Sequence, residues 1–180
     1  MDISKWYKAE TTTKQVFEGI YPVMIAGVRT FTKEAEKELP NKQKVTYNRE
    51  VLELTFKTTQ DVPFPDGTND KIVVKQNYYF DVDMHINAFN GVSRAFLGKQ
   101  QFKTTEEFDG KVGMIGIVNH TYEKDGETKY VAQMGTGLFS YAPLTANPTI
   151  EYIANDIQNP TDEEKQEWFK AHIKNLKPAK

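Results

Sequence analysis

The sequence has no cysteine, which excludes a disulfide framework, a thiolate metal site and a cysteine nucleophile, and fits a reducing compartment. It lacks any run near the ~20 apolar residues needed to span a bilayer. The opening residues Met1 to Trp6 contain no apolar stretch ending in small residues, so neither a membrane span nor a secretory leader is expected and the expected location is the cytoplasm. There the sequon Asn119-His120-Thr121 has no glycosylation role. An excess of one charge is also missing: 23 Lys and Arg stand against 25 Asp and Glu, for a net charge of -2. Residues 148–180 hold 5 basic and 6 acidic side chains, leaving 18 and 19 for residues 1–147, so neither part is a basic arm. This counts against a duplex-DNA binder that works mainly through phosphates. It leaves room for single-strand binding, which relies on base stacking over a small basic groove. No GxxxxGK loop, GxSxG elbow or HExxH pair occurs, so nucleotide hydrolysis and serine or zinc protease chemistry have no motif behind them. No internal repeat, Gly/Ser linker or low-complexity tract divides the chain.

What is present is aromatic: 11 Phe, 9 Tyr and 2 Trp in 180 residues, enough for one sizeable core. Two-residue alternation predicts a first strand over 19–28, with Tyr21, Val23 and Ile25 on one face. Pro22 near its start points to an edge position or a strand beginning, and Gly27 to a bend or bulge. Residues 33–44 are charged and turn-prone. A second strand is expected over 45–58, with Leu52, Leu54 and Phe56 on one face and Val51, Glu53 and Thr55 on the other. A third is expected over 71–82, with Ile72, Val74, Tyr78 and Phe80 together. Helical spacing of Ala88, Val92, Ala95 and Phe96 before Gly98 predicts a short helix over 87–97. After the irregular stretch 104–110, a fourth strand over 111–122 carries Gly113 and Gly116, which suggest curvature or close backbone approach. Asp125-Gly126 predicts the hairpin turn into a fifth strand over 129–134. Thr161 with Glu164 forms a capping box for a helix over 162–176, whose stripe of Trp168, Phe169, His172, Ile173 and Leu176 is expected to pack on the barrel that the five strands form.

The order of elements is three strands, a helix, then a strand hairpin. It gives a mainly β fold, a five-stranded OB-like barrel with a short helix between strands 3 and 4 and a C-terminal helix. An immunoglobulin-like sandwich ranks second, because it wants about seven strands and no central helix. Residues 1–147 form the expected barrel domain and residues 148–180 a helical extension on it.

The steps Phe17-Glu18-Gly19-Ile20-Tyr21, Phe108-Asp109-Gly110-Lys111-Val112-Gly113 and His120-Thr121-Tyr122, with Asp125 and Gly126, resemble small phage proteins of replication and recombination modules. That resemblance spans roughly residues 17–134. It implies an OB-like domain that binds single-stranded DNA non-specifically in the bacterial host cytoplasm, with replication or recombination proteins as further partners. One departure is the ending Lys177-Pro178-Ala179-Lys180, where many single-strand binders carry an acidic tail.

Strand binding needs aromatic platforms beside cations on a solvent-facing sheet. Tyr79 with Lys75, Tyr47 with Lys44 and Arg49, and Tyr122 and Tyr130 near Lys124 and Lys129 fit that description, although such tyrosines also serve as ordinary cross-strand pairs. Asp81, Asp83 and His85 alternate, so on an extended strand they would share a face and offer ligands to a divalent metal. A solvated strand end is the competing reading, and no cofactor or metal is expected. His120 and His172 read as structural. Three functions follow: a non-catalytic single-strand DNA binder, which is preferred; a metal-dependent nuclease; and a protein-binding or virion structural module. An exposed first strand would also permit a homodimer.

Overall fold

The computed structural model describes residues 10–135, 141–155 and 157–176. The opening residues Met1 to Trp6 and the closing Lys177 to Lys180 lie outside them. The chain is mainly β, as expected. Its elements are β1 (Gly19–Glu38), β2 (Lys44–Thr58), β3 (Val62–Pro63), β4 (Asn69–Asp70), β5 (Val73–Tyr79), α1 (Asp83–Leu97), β6 (Val112–Lys124), β7 (Glu127–Met134), β8 (Tyr141–Pro143), β9 (Glu151–Tyr152) and α2 (Asp162–Lys174). The main sheet is antiparallel and runs β5-β2-β1-β6-β7, with β8 added to β6 and β9 to β1. The strands β3 and β4 pair only with each other.

No closed barrel is found among the described residues. The strands β5 and β7 stand at the two ends of the path, and Thr12 bridges them at one point. Its N–H donates to the Val73 carbonyl and its carbonyl accepts from Ala132 N–H, each at 2.9 Å, while its hydroxyl accepts from Val73 N–H at 2.9 Å.

The first strand departs from its expected place. It is central, between β2 and β6, so of the two readings of Pro22 the edge position fails and the strand beginning holds, β1 starting at Gly19. The proline is tolerated because β2 starts to pair only at Val23. The Pro22 carbonyl accepts from Thr59 N–H at 3.1 Å, so the donor that proline lacks would point toward the margin of β2 and not into the ladder with β6. The bulge expected at Gly27 exists: the register shifts between Ile25 and Gly27, leaving Ala26 unpaired. The stretch 33–44, read as a turn, is strand up to Glu38, and its turn is confined to residues 39–43.

The β6 strand separates two apolar layers. Ile115 and Ile117 join Tyr21, Val23, Ile25, Leu54, Phe56, Val74, Tyr78 and the α1 residues Phe89, Val92 and Phe96 in the main core. On the other side Met114 meets Ile20, Ala142, Ile153 and the α2 residues Trp168, Phe169 and Ile173. Glycine makes both contacts possible. A Cβ on Gly113 would lie 2.7 Å from the Phe96 ring, and one on Gly116 would lie 2.9 Å from the Phe169 ring. The α2 helix starts as its sequence dictates, with Glu164 N–H donating to the Thr161 hydroxyl at 3.2 Å and the Glu164 carboxylate accepting from Thr161 N–H at 3.0 Å. Asp125 and Gly126 take φ of 53° and 76°, the conformation a two-residue hairpin turn requires.

Candidate nucleic-acid interface

Beyond the bulge, β1 and β2 outrun their neighbours. The β6 strand pairs with β1 only as far as Met24, and β5 pairs with β2 only from Val51 onward. Residues 29–38 and 44–50 therefore form a two-stranded arm. Side chains on a strand alternate between faces, and the arm's sequence sorts its charges accordingly. One face carries Arg29, Phe31, Lys33, Ala35 and Lys37 of β1 opposite Glu53, Val51, Arg49, Tyr47 and Val45 of β2. The opposite face carries Glu34, Glu36 and Glu38 opposite Asn48, Thr46 and Lys44, with Glu50 opposite Thr32.

The first face holds the richest set of rings and cations. Tyr79 reaches it because it pairs with Val51. The Arg49 guanidinium lies 4.6 Å from the Tyr79 ring centre and 5.8 Å from that of Tyr47, the Lys33 ammonium lies 6.0 Å from Tyr79, and Arg29 lies 4.4 Å from Phe31. These are cation–π distances. His85 stacks on Tyr79 at 4.7 Å and accepts from Tyr79 N–H through Nδ1 at 3.2 Å.

One carboxylate closes this cluster. Asp81 accepts from the Tyr47 hydroxyl at 2.7 Å and from Arg49 Nε at 3.1 Å, and Arg49 also donates to the Tyr47 oxygen at 2.9 Å. The Tyr47 hydrogen bond first, then the residue's own backbone N–H and the Arg49 charge and hydrogen bond, hold the Asp81 carboxyl below its usual range. On the same face Glu53 holds Arg29 at 3.3 Å. Lys33 and Lys37 have no ion pair among the described residues.

Of the residues expected to bind, Tyr47, Arg49 and Tyr79 thus meet in one cluster. Lys75 lies on the same face of β5 as Tyr79 but opposite Thr55, about 14 Å along the strand. Lys44 lies on the acidic face, opposite Glu38, and is separated from Tyr47. At the β6–β7 tip, Tyr122 is paired with Lys129 and Lys124 with Glu127, whereas Tyr130 pairs with Thr121 and points to the other face. Tyr122 is 43% exposed and lies near-parallel to His120 at 6.5 Å, and Lys129 is held by Glu127 at 2.8 Å. His172 is half-buried against Trp168, with ring centres 4.1 Å apart.

The Asp81, Asp83 and His85 set does not form. The third strand ends at Tyr79 and α1 begins at Asp83, so the alternation that would align the three residues is lost. Asp81 turns to Tyr47 and Arg49, and His85 turns to Tyr79. No group of three His, Cys, Asp or Glu able to hold a metal occurs among the described residues. Two clefts, of about 560 and 680 Å³, lie elsewhere: one along α1 beside Arg94 and Tyr141, the other between Phe17 and Ile157. Neither is lined by any of the nine expected residues.

Sequence reading missed Arg29, Phe31, Lys33 and Lys37. Their signal was the alternation of basic or aromatic with acidic or hydroxyl residues from Arg29 to Glu38, a period of two written in polar side chains. Among the described residues no helix is long and apolar enough to cross a membrane. No family model matches the chain, and neither a curated protein nor a solved structure matches it.

Proposed function

We propose that the protein binds single-stranded DNA without catalysis, through the face that carries Phe31, Lys33, Tyr47, Arg49 and Tyr79. The observation behind this reading is the convergence of three strands' aromatic rings and cations on one surface. Each stacked base contributes about 1–3 kcal/mol whatever its identity, and flanking cations track the backbone. The near-neutral chain suits a mode that leans on stacking more than on phosphate neutralisation.

The strand order adds support for an OB-type reading of the fold. Taking β5 as the third strand and β6 and β7 as the fourth and fifth, the path is 3-2-1-4-5 with α1 between the third and fourth. OB-folds bind oligonucleotides on the face of strands 2 and 3 and on the loops joining strands 1–2 and 4–5. Here those parts are the β2–β5 face with Lys75 and Tyr79, the β1–β2 arm, and the β6–β7 tip with Tyr122, Lys124 and Lys129. A role in a phage replication or recombination module rests on the resemblance of the Gly19-Ile20-Tyr21 and Gly110-Lys111-Val112 steps.

The test is a fluorescence titration of labelled oligothymidine of about 30 nucleotides against a duplex of equal length, at low and physiological salt. Single-strand binding that weakens about five- to a hundredfold on Tyr79→Ala is expected. Binding to duplex alone, or to neither, would overturn the reading.

A further inference from the structure

The arm has two chemically opposite faces, and only one of them enters the proposed DNA interface. Glu34, Glu36, Glu38 and Glu50 are exposed, and none of the four has an ion pair or side-chain hydrogen bond among the described residues. Lys33 and Lys37, on the other face, are exposed and equally without ion pairs. The intervals match: Glu34 and Glu38 are four residues apart on one face, as Lys33 and Lys37 are on the other. On an extended strand that interval is about 14 Å. A carboxylate row and an ammonium row of equal pitch therefore lie back to back on one two-stranded ribbon.

We propose that this arm docks on a second copy of the chain, the acidic face of one molecule against the basic face of the next. Charge complementarity selects the geometry. A two-fold dimer through either face would set like charges against each other, Glu34 and Glu36 against their own counterparts or Lys33 and Lys37 against theirs, which is unfavourable. Only a head-to-tail contact satisfies both rows. The docked pair still presents one unused face of each sign, one on each copy, so the contact extends into short chains of molecules and does not close as a pair.

The arm also sets the strength. Ten residues of β1, Arg29 to Glu38, span about 34 Å at 3.4 Å per residue, and two strands are about 10 Å wide. Each partner then buries about 340 Å², about 680 Å² in total, well below the total of roughly 1,200 Å² typical of stable complexes. The association is weak, reversible and concentration-dependent, and it is screened as the Debye length falls below the separation of the rows. It goes beyond the DNA-binding reading and does not depend on it. If both hold, single strands and the acidic face of a neighbour compete for Lys33 and Lys37.

Sedimentation velocity on the full chain tests this, over a rising concentration series at low and high salt and without nucleic acid. The expected result is a sedimentation coefficient that climbs with concentration at low salt and stays monomeric at high salt. Two charge-reversed variants locate the contact. Glu34→Lys/Glu36→Lys/Glu38→Lys makes both faces basic, and Lys33→Glu/Lys37→Glu makes both acidic. Each alone should remain monomeric, with at least a tenfold weaker association, while an equal mixture should associate at least as well as the unaltered chain. That recovery also certifies that both variants are folded. A monomeric parent chain at every concentration, a variant that self-associates undiminished, or a mixture that stays monomeric would each overturn the proposal. Failure of oligothymidine binding with this pattern intact would count against the DNA reading alone.

Discussion

The Phe169 ring of α2 lies against Gly116 of β6, so close that a methyl group on the glycine would sit 2.9 Å from two ring carbons. The backbone of the sheet is itself the packing surface for the terminal helix. Gly116→Ala should destabilise the protein by about 1–3 kcal/mol through overpacking, and Phe169→Ala by about 3–5 kcal/mol through the cavity it leaves. Because the two groups share one space, the double variant should cost less than the sum. Urea denaturation of the three variants checks this, and strict additivity would refute direct contact.

Asp81 pairs with Arg49, the cation nearest the Tyr79 ring. Asp81→Asn keeps an acceptor for the Tyr47 hydroxyl but removes the charge that holds Arg49. Oligothymidine affinity should rise about two- to fivefold at low salt, an effect of the size expected from freeing a surface-paired arginine. The same titration in about 1 M salt should show the gain vanish. Unchanged or weaker binding at low salt would remove Arg49 from the interface.

The Tyr78 hydroxyl is buried and has no hydrogen-bond partner among the described residues, and burial raises its pKa well above the usual phenol value. A lone buried hydroxyl costs free energy that a phenyl ring does not. Tyr78→Phe should therefore be neutral or stabilising by about 1 kcal/mol, read as an unchanged or higher Tm. Tyr21→Phe is the control, expected to destabilise because the Tyr21 hydroxyl donates to the Phe17 carbonyl.

Glu107 supplies a pH signature. The Lys99 ammonium, followed by the Thr104 and Lys103 backbone N–H groups, lowers its pKa from 4.5 to about 2. Because the folded value is depressed, its stabilising contribution is complete above about 4.5 and is lost as pH falls toward about 2. Glu107→Gln should flatten the fall of Tm across that window and leave the rest of the acid profile alone. Equal slopes for variant and parent would show that the carboxylate is not held in this way.

Legibility in the sequence followed the physics of each element. The α2 helix and the β6–β7 hairpin were read correctly because their signals are local: a capping box, and a turn pair that accepts positive φ. The start of α1 was misplaced because its N-cap is Val82, which makes no side-chain cap hydrogen bond. The arm was missed because its alternation is between polar residues, whereas strand reading follows apolar ones. The division of Tyr122 from Tyr130 was within reach, since a two-residue turn at Asp125-Gly126 fixes Tyr122 opposite Lys129. By contrast, the meeting of Arg49 with Tyr79 depends on the Val51–Tyr79 register, which no local pattern encodes.

Ala26 makes no cross-strand pair, yet it decides which way the molecule's charge points. Before it, Tyr21, Val23 and Ile25 turn inward; after it, Val28 does, and the odd-numbered side chains turn out. Were Ala26 instead paired in the regular alternation, with no bulge, the odd-numbered side chains would go on turning inward, and Arg29, Phe31, Lys33 and Lys37 would swing to the side where the glutamates now stand, away from Tyr47, Arg49 and Tyr79. One residue left out of the ladder thus works as a polarity setting for the whole ribbon, independent of the chemistry of any side chain on it.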